Sequence, residues 1–140
     1  MEFNLESAEA TAVIEKGVSH RFILAMQAVD NGVFAMCQDE ALAYMVETSN
    51  NVASVATSEN EINIITSQRS NVMSNLENET NPVKAAFELA GAEIKMSDGY
   101  PAWKMNPDSK LTKVAVESYK KLFGKEPIVK GIHAGLESFL

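Results

Sequence analysis

The sequence predicts an α+β fold in which an antiparallel sheet carries helices packed on one face. Three features point to it. Apolar residues from Ala10 to Val29 recur every three or four positions; from residue 45 the pattern changes to β-branched and small residues around a turn-like cluster; and two later helical stretches each run into a glycine.

Taken in order, Ala10, Ile14, Val18, Phe22, Met26 and Val29 form one stripe of an amphipathic helix over residues 5–29. Asp30-Asn31-Gly32 supplies its stop, because Asn and Gly accept the left-handed backbone that closes a helix. Gly17 lies inside the stripe and weakens a helix interior by about 1 kcal/mol relative to Ala. Residues 33–42 are mixed and read as irregular. Residues 45–56, with Met45, Val46, Val52 and Val55, read as a strand, Thr57-Ser58-Glu59-Asn60 as a turn, and residues 61–66 as a second, antiparallel strand. Between Asn71 and Ala90, the positions Val72, Leu76, Val83 and Phe87 mark a helix with a kink or break expected near Asn81, since Pro82 lacks an amide donor.

Gly91 ends that helix, and Glu93-Ile94-Lys95-Met96-Ser97 alternates as a strand with one wet face. Asp98-Gly99-Tyr100-Pro101 is turn chemistry. Asp108 or Ser109 caps a last helix bearing Leu111, Val114, Ala115, Ser118 and Leu122, closed by Lys120, Lys121 and Gly124. Residues 128–133 read as a final strand. The order α-β-β-α-β followed by α-β resembles an incomplete ferredoxin-like sandwich, short of a strand before its first helix.

Composition narrows the function. The 140 residues carry Lys+Arg 12 against Asp+Glu 19, a net charge of -7, so a nucleic-acid partner is not expected, because phosphates call for a basic patch. Charges interrupt every apolar run well short of the roughly 18 residues that cross a bilayer, and the first residues are acidic where a signal peptide is basic. A soluble, cytoplasmic protein with no membrane partner is expected. One cysteine, Cys37, permits no intrachain disulfide, and with no basic neighbour it reads as a small core residue rather than a nucleophile. Two histidines, His20 and His133, are few for a zinc site.

Four groups of residues offer chemistry. His133 and Glu137 lie four apart and present an imidazole and a carboxylate together if the chain there is helical; a strand-end histidine and a helix-start glutamate are the plainer account. Arg69, at the end of the second strand in Gln68-Arg69-Ser70, is a natural fork for a carboxylate, or equally a surface ion-pair partner. Thr48-Ser49-Asn50-Asn51 offers polar groups for a groove. Tyr100, Pro101 and Trp103 make an aromatic-proline corner.

Together, Val46-Glu47-Thr48-Ser49-Asn50-Asn51-Val52, Gln68-Arg69-Ser70, Glu88-Leu89-Ala90-Gly91-Ala92, Gly99-Tyr100-Pro101-Ala102-Trp103 and His133-Ala134-Gly135-Leu136-Glu137 resemble, in order and spacing, the later part of the aminoacyl-histidine dipeptidases of the two-zinc exopeptidase clan. The resemblance implies that residues 1–98 are part of a lid and dimerisation domain and that 99–140 return to the catalytic domain. It implies substrate-binding roles for Arg69, on the C-terminal carboxylate of a dipeptide, and for His133, Gly135 and Glu137 in a loop lining the active site. It implies zinc in the full-length enzyme but none in this chain, no catalytic or metal-binding residue here, and a homodimer. The motif ends in Ser138-Phe139-Leu140 where the family continues with Cys-Gly. The expected activity is therefore that of a Xaa-His dipeptidase to which this chain contributes recognition and which it does not perform alone. The alternative is a free-standing α+β module that dimerises or binds a small ligand without catalysis.

Overall fold

In a computed structural model of the chain, residues 3–10, 12–99, 102–106 and 108–133 are described. Helix α1 spans Lys16–Ala28. It starts eleven residues later than the apolar stripe suggests, because the Glu15 carboxylate accepts from the amides of Gly17 and Val18, each at 2.8 Å, and closes the first turn there. Those two bonds hold the Glu15 carboxyl below its ordinary range. Gly17 thus sits in a capped first turn, not in the helix interior.

Three strands follow, β1 (Gly32–Met36), β2 (Val46–Thr57) and β3 (Ile62–Ser70), with a short 3-10 turn at Glu40–Leu42 between the first two. They form one antiparallel meander in the order β1-β2-β3. The β2-β3 hairpin falls where the sequence places it, closed by the Ser58 amide donating to the Glu61 carbonyl at 2.9 Å. β1 is an addition to the expected order. Val33, Phe34, Ala35 and Met36 show no alternation because this edge strand pairs on one side, with two register shifts, and leaves its large side chains partly exposed.

Helix α2 (Met73–Leu89) runs through Pro82 without a break. Pro82 and Asn78 lie on the exposed face, so the Asn78 carbonyl that loses its intrahelical donor can be solvated. On the opposite face Val83 and Phe87 meet Ala25 of α1 and Val29 just beyond its end in the main core, with Val52 of β2 and Ile64 of β3 packed against them. Both helices therefore cover one face of the sheet, as the α+β reading requires.

Two expected strands do not form. Residues 93–97 carry Ile94 to the edge of the main core without joining a ladder, and 128–133 are likewise outside the sheet. Residues 93–97 alternate in sequence, but Met96 is exposed, and neither segment pairs with the free outer edge of β3. Helix α3 (Lys110–Phe123) matches its sequence signals closely: Ser109 caps it, Lys120 and Lys121 occupy the last turn, and Gly124 takes the left-handed conformation at φ 62°. Its apolar side is left largely open, with Leu111, Leu122 and Phe123 exposed.

Glu79, on α2, is pushed above the usual carboxylate range by partial burial and by the charge of Asp30. A carboxyl whose folded-state pKa is raised opposes folding once pH exceeds its unfolded value. Glu79→Gln is therefore expected to raise Tm at pH 7 and to leave it unchanged near pH 3; an equal shift at both would show that charge is not the cause.

Candidate functional site

The site is set by the register of β2 against β3. Thr48, Asn50 and Gln68 face the helices along with Val52 and Ile64, while Ser49 and Arg69, directly opposite one another, face away. On the inner face Gln68 Nε2 donates to Asn50 Oδ1 at 2.7 Å, and Asn50 Nδ2 donates to the Asp30 carbonyl at 2.6 Å. Thr48 and Ser70 share a hydroxyl bond of 2.9 Å. These bonds satisfy the buried side chains of Thr48 and Asn50 and pin the strand ends, which fixes where Arg69 emerges. The polar run Thr48-Ser49-Asn50-Asn51 is thus divided: Thr48 and Asn50 are structural, and Ser49 belongs to the site.

The segment before residue 134 lies against the start of β2. Tyr44 Oη accepts from the Gly131 amide at 2.7 Å. Gly131 fits closely beside Met45, Met105 and Leu42; a Cβ there would come within 2.8 Å of Met45 Sδ. Met45 belongs to a second, smaller core with Cys37 and Leu42, so this glycine lets the backbone approach a packed cluster. Two residues on, His133 Nε2 lies 3.0 Å from Ser49 Oγ. Burial first, and then the charge of Arg69, hold the His133 imidazole below its ordinary range, opposed by a hydrogen bond to the Val46 backbone. Two residues 64 positions apart, Arg69 and His133, are thereby brought to one place. Arg69 is exposed and has no carboxylate partner among the described residues.

Arg69 and His133 line an open groove along the outer edge of β3, walled on the other side by residues 92–99 and by Trp103 and Met105. Gly135 and Glu137 lie outside the described residues, as do Tyr100 and Pro101. Cys37 is buried, with Asn71 Nδ2 donating to its sulfur at 3.3 Å, in keeping with a core role. Sequence reasoning passed over Tyr44 and Gly131, and Ser49 was visible only as part of a polar run. The glycine two residues before a motif histidine was the one available signal.

For a metal, the described donors do not fit. No three His, Cys, Asp or Glu side chains converge among the described residues; His133 is engaged by Ser49, Cys37 by Asn71, and His20 is exposed on α1. What this arrangement offers is a guanidinium fork beside an imidazole and a hydroxyl, suited to binding an anion with planar geometry. No helix among the described residues is long and apolar enough to cross a membrane.

No family model matches the chain. Over 116 residues, 83% of its length, it is 33% identical to the cytosol non-specific dipeptidase of Escherichia coli (strain K12), of which it covers 24%. The crystal structure of aminoacylhistidine dipeptidase from Vibrio alginolyticus superposes with a TM-score of 0.79 at 34% identity, covering 98% of this chain and 28% of that one. Fold and sequence together show the chain to be similar to one part of these dipeptidases, and it spans about a quarter of the length of the relatives it matches.

Proposed function

We propose that this chain forms part of the lid of a Xaa-His dipeptidase, with residues 1–98 in a lid and dimerisation domain and 99–140 returning to the catalytic domain. Its task is to recognise the substrate, and Arg69 grips the dipeptide's C-terminal carboxylate. The observation that carries this reading is the position of Arg69: a guanidinium on a fixed strand end, free of any described carboxylate, at the rim of a groove. A surface ion pair, the plainer account of an arginine at a strand end, has no acidic partner among the described residues. His133 sits beside Arg69, and Gly135 and Glu137, which follow it in the sequence, share in binding the substrate.

Zinc belongs to the full-length enzyme and is held by residues other than those described, so the described residues bind and orient and do not activate water. The exposed apolar side of α3 fits a helix that packs against further protein. A homodimer and a cytoplasmic setting accord with the same reading, the second also with the cytosolic relative. Supplied with zinc, the purified chain alone is expected to give no steady hydrolysis of a Xaa-His dipeptide, followed as histidine release. Sustained turnover that disappears on chelation would contradict the division of labour.

A further inference from the structure

We infer that Arg69 and His133 form a proton-coupled carboxylate clamp, in which Ser49-bound His133 takes up a proton when a carboxylate enters beside Arg69. This rests on the carboxylate role proposed for Arg69 and adds to it a pH response and a second cation. The geometry supplies three reasons. Ser49 is the cross-strand partner of Arg69, and His133 Nε2 is 3.0 Å from the Ser49 hydroxyl, so the imidazole is anchored next to the guanidinium by the ladder itself. The neutral ring has one N–H, and with that proton directed at the Val46 carbonyl, Nε2 accepts from Ser49. Both nitrogens are then satisfied without charge, and the segment is further fixed by Gly131 on Tyr44.

In the empty site a proton on His133 would place two cations side by side with part of their surface out of water, which is unfavourable. A carboxylate between them reverses the sign. It attracts both cations, so the proton that the empty site rejects becomes favourable; it comes from solvent to Nε2, and the Ser49 hydroxyl turns from donor to acceptor. Other charged or titratable groups nearby are Lys130 on the same segment, Tyr44, whose phenol oxygen accepts from Gly131, and Glu47 on β2, whose Oε1 is held by Asn75 at 2.7 Å. Of the charged groups, Arg69 is the one whose field displaces the His133 titration. Carboxylate affinity should therefore strengthen as pH falls between the liganded and the free titration midpoints of His133, and level off below the free one.

The test is an NMR titration of His133 in the whole chain, with N-acetylalanine as the probe and its amide as control. Without ligand, His133 should titrate below the ordinary histidine range; saturating N-acetylalanine should move the His133 midpoint upward, and the amide should not. Arg69→Gln should raise the ligand-free His133 midpoint and abolish the response, while Arg69→Lys keeps the midpoint low. If N-acetylalanine shifts the Arg69 Nε resonance but leaves the His133 midpoint fixed, the coupling is wrong and the carboxylate role of Arg69 stands. If the Arg69 resonance is indifferent to the carboxylate, the role fails and the clamp with it. An unchanged ligand-free midpoint in Arg69→Gln overturns the clamp on its own.

Discussion

Phe87→Ala is expected to be among the most destabilising single substitutions in the chain, at about 3 to 5 kcal/mol. Phe87 is buried to 7% exposure on α2 and closes the cluster of Ala25, Val29 and Val83 against the sheet. Few buried side chains share this work, because the main core rests on two helices and one face of a three-stranded sheet. Removing the ring leaves a cavity that small neighbours such as Ala25 and Ala86 cannot fill. A domain of this size has about 5 to 15 kcal/mol in hand, so the loss should be visible as a lower urea midpoint and a Tm lower by about 10 °C. Phe87→Leu, which keeps most of the volume, should cost less than half as much. Leu122→Ala on α3, where the side chain is 77% exposed, should change stability little and serves as the control. Equal losses at Phe87 and Leu122 would show that the core has been misplaced.

The second large effect is functional. In the dipeptidase proposed to carry this segment, Arg69→Ala should lower kcat/KM by about 10²-fold, the equivalent of about 3 kcal/mol for a lost two-pronged bond to a carboxylate. Arg69→Lys should fall between, since an ammonium keeps the charge and loses the fork. The fold itself should be unaffected, because the Arg69 side chain is exposed and its backbone pairing with Ser49 does not depend on the guanidinium. A matching loss of Tm would assign the effect to structure instead.

How much of this was legible depends on the range of the forces involved. Helix α3 was readable almost to the residue because its signals are local: Ser109, the two lysines and Gly124 each act within one turn. The start of α1 was misjudged because a stripe of apolar residues says nothing about where a helix stops being buried; Glu15 decided that. The break expected at Pro82 did not occur because exposure of the bereft Asn78 carbonyl makes the missing bond tolerable, and exposure is a tertiary property.

The strands show the same division. A hairpin around Ser58 was evident, but β1 lacked alternation, and neither the alternating stretch 93–97 nor residues 128–133 found a ladder. Alternation reports a two-sided environment and not a hydrogen-bonded neighbour. At the site, Arg69 was singled out for its fork and its place at the end of a strand. Its partner Ser49 was not, because the register shifts by one residue between Val52 and Ser54; carried back from the turn without that bulge, Arg69 would have faced Asn50. His133 was noted from its motif, yet its meeting with Arg69 depends on a glycine settling against Met45. Gly135 and Glu137 lie outside the described residues, and their place in the active-site loop stays a proposal.

The carboxylate role of Arg69 is tested most directly by a substrate cycle in the full-length enzyme: kcat/KM for a Xaa-His dipeptide and for its C-terminal amide, each with Arg69 and with Arg69→Ala. The amide removes the carboxylate from the ligand, and the substitution removes its partner from the protein, so the coupling between them isolates the contact. The expected result is a loss of about 10²-fold on the free acid and almost none on the amide. Equal losses on both substrates would contradict the assignment of Arg69 to the carboxylate.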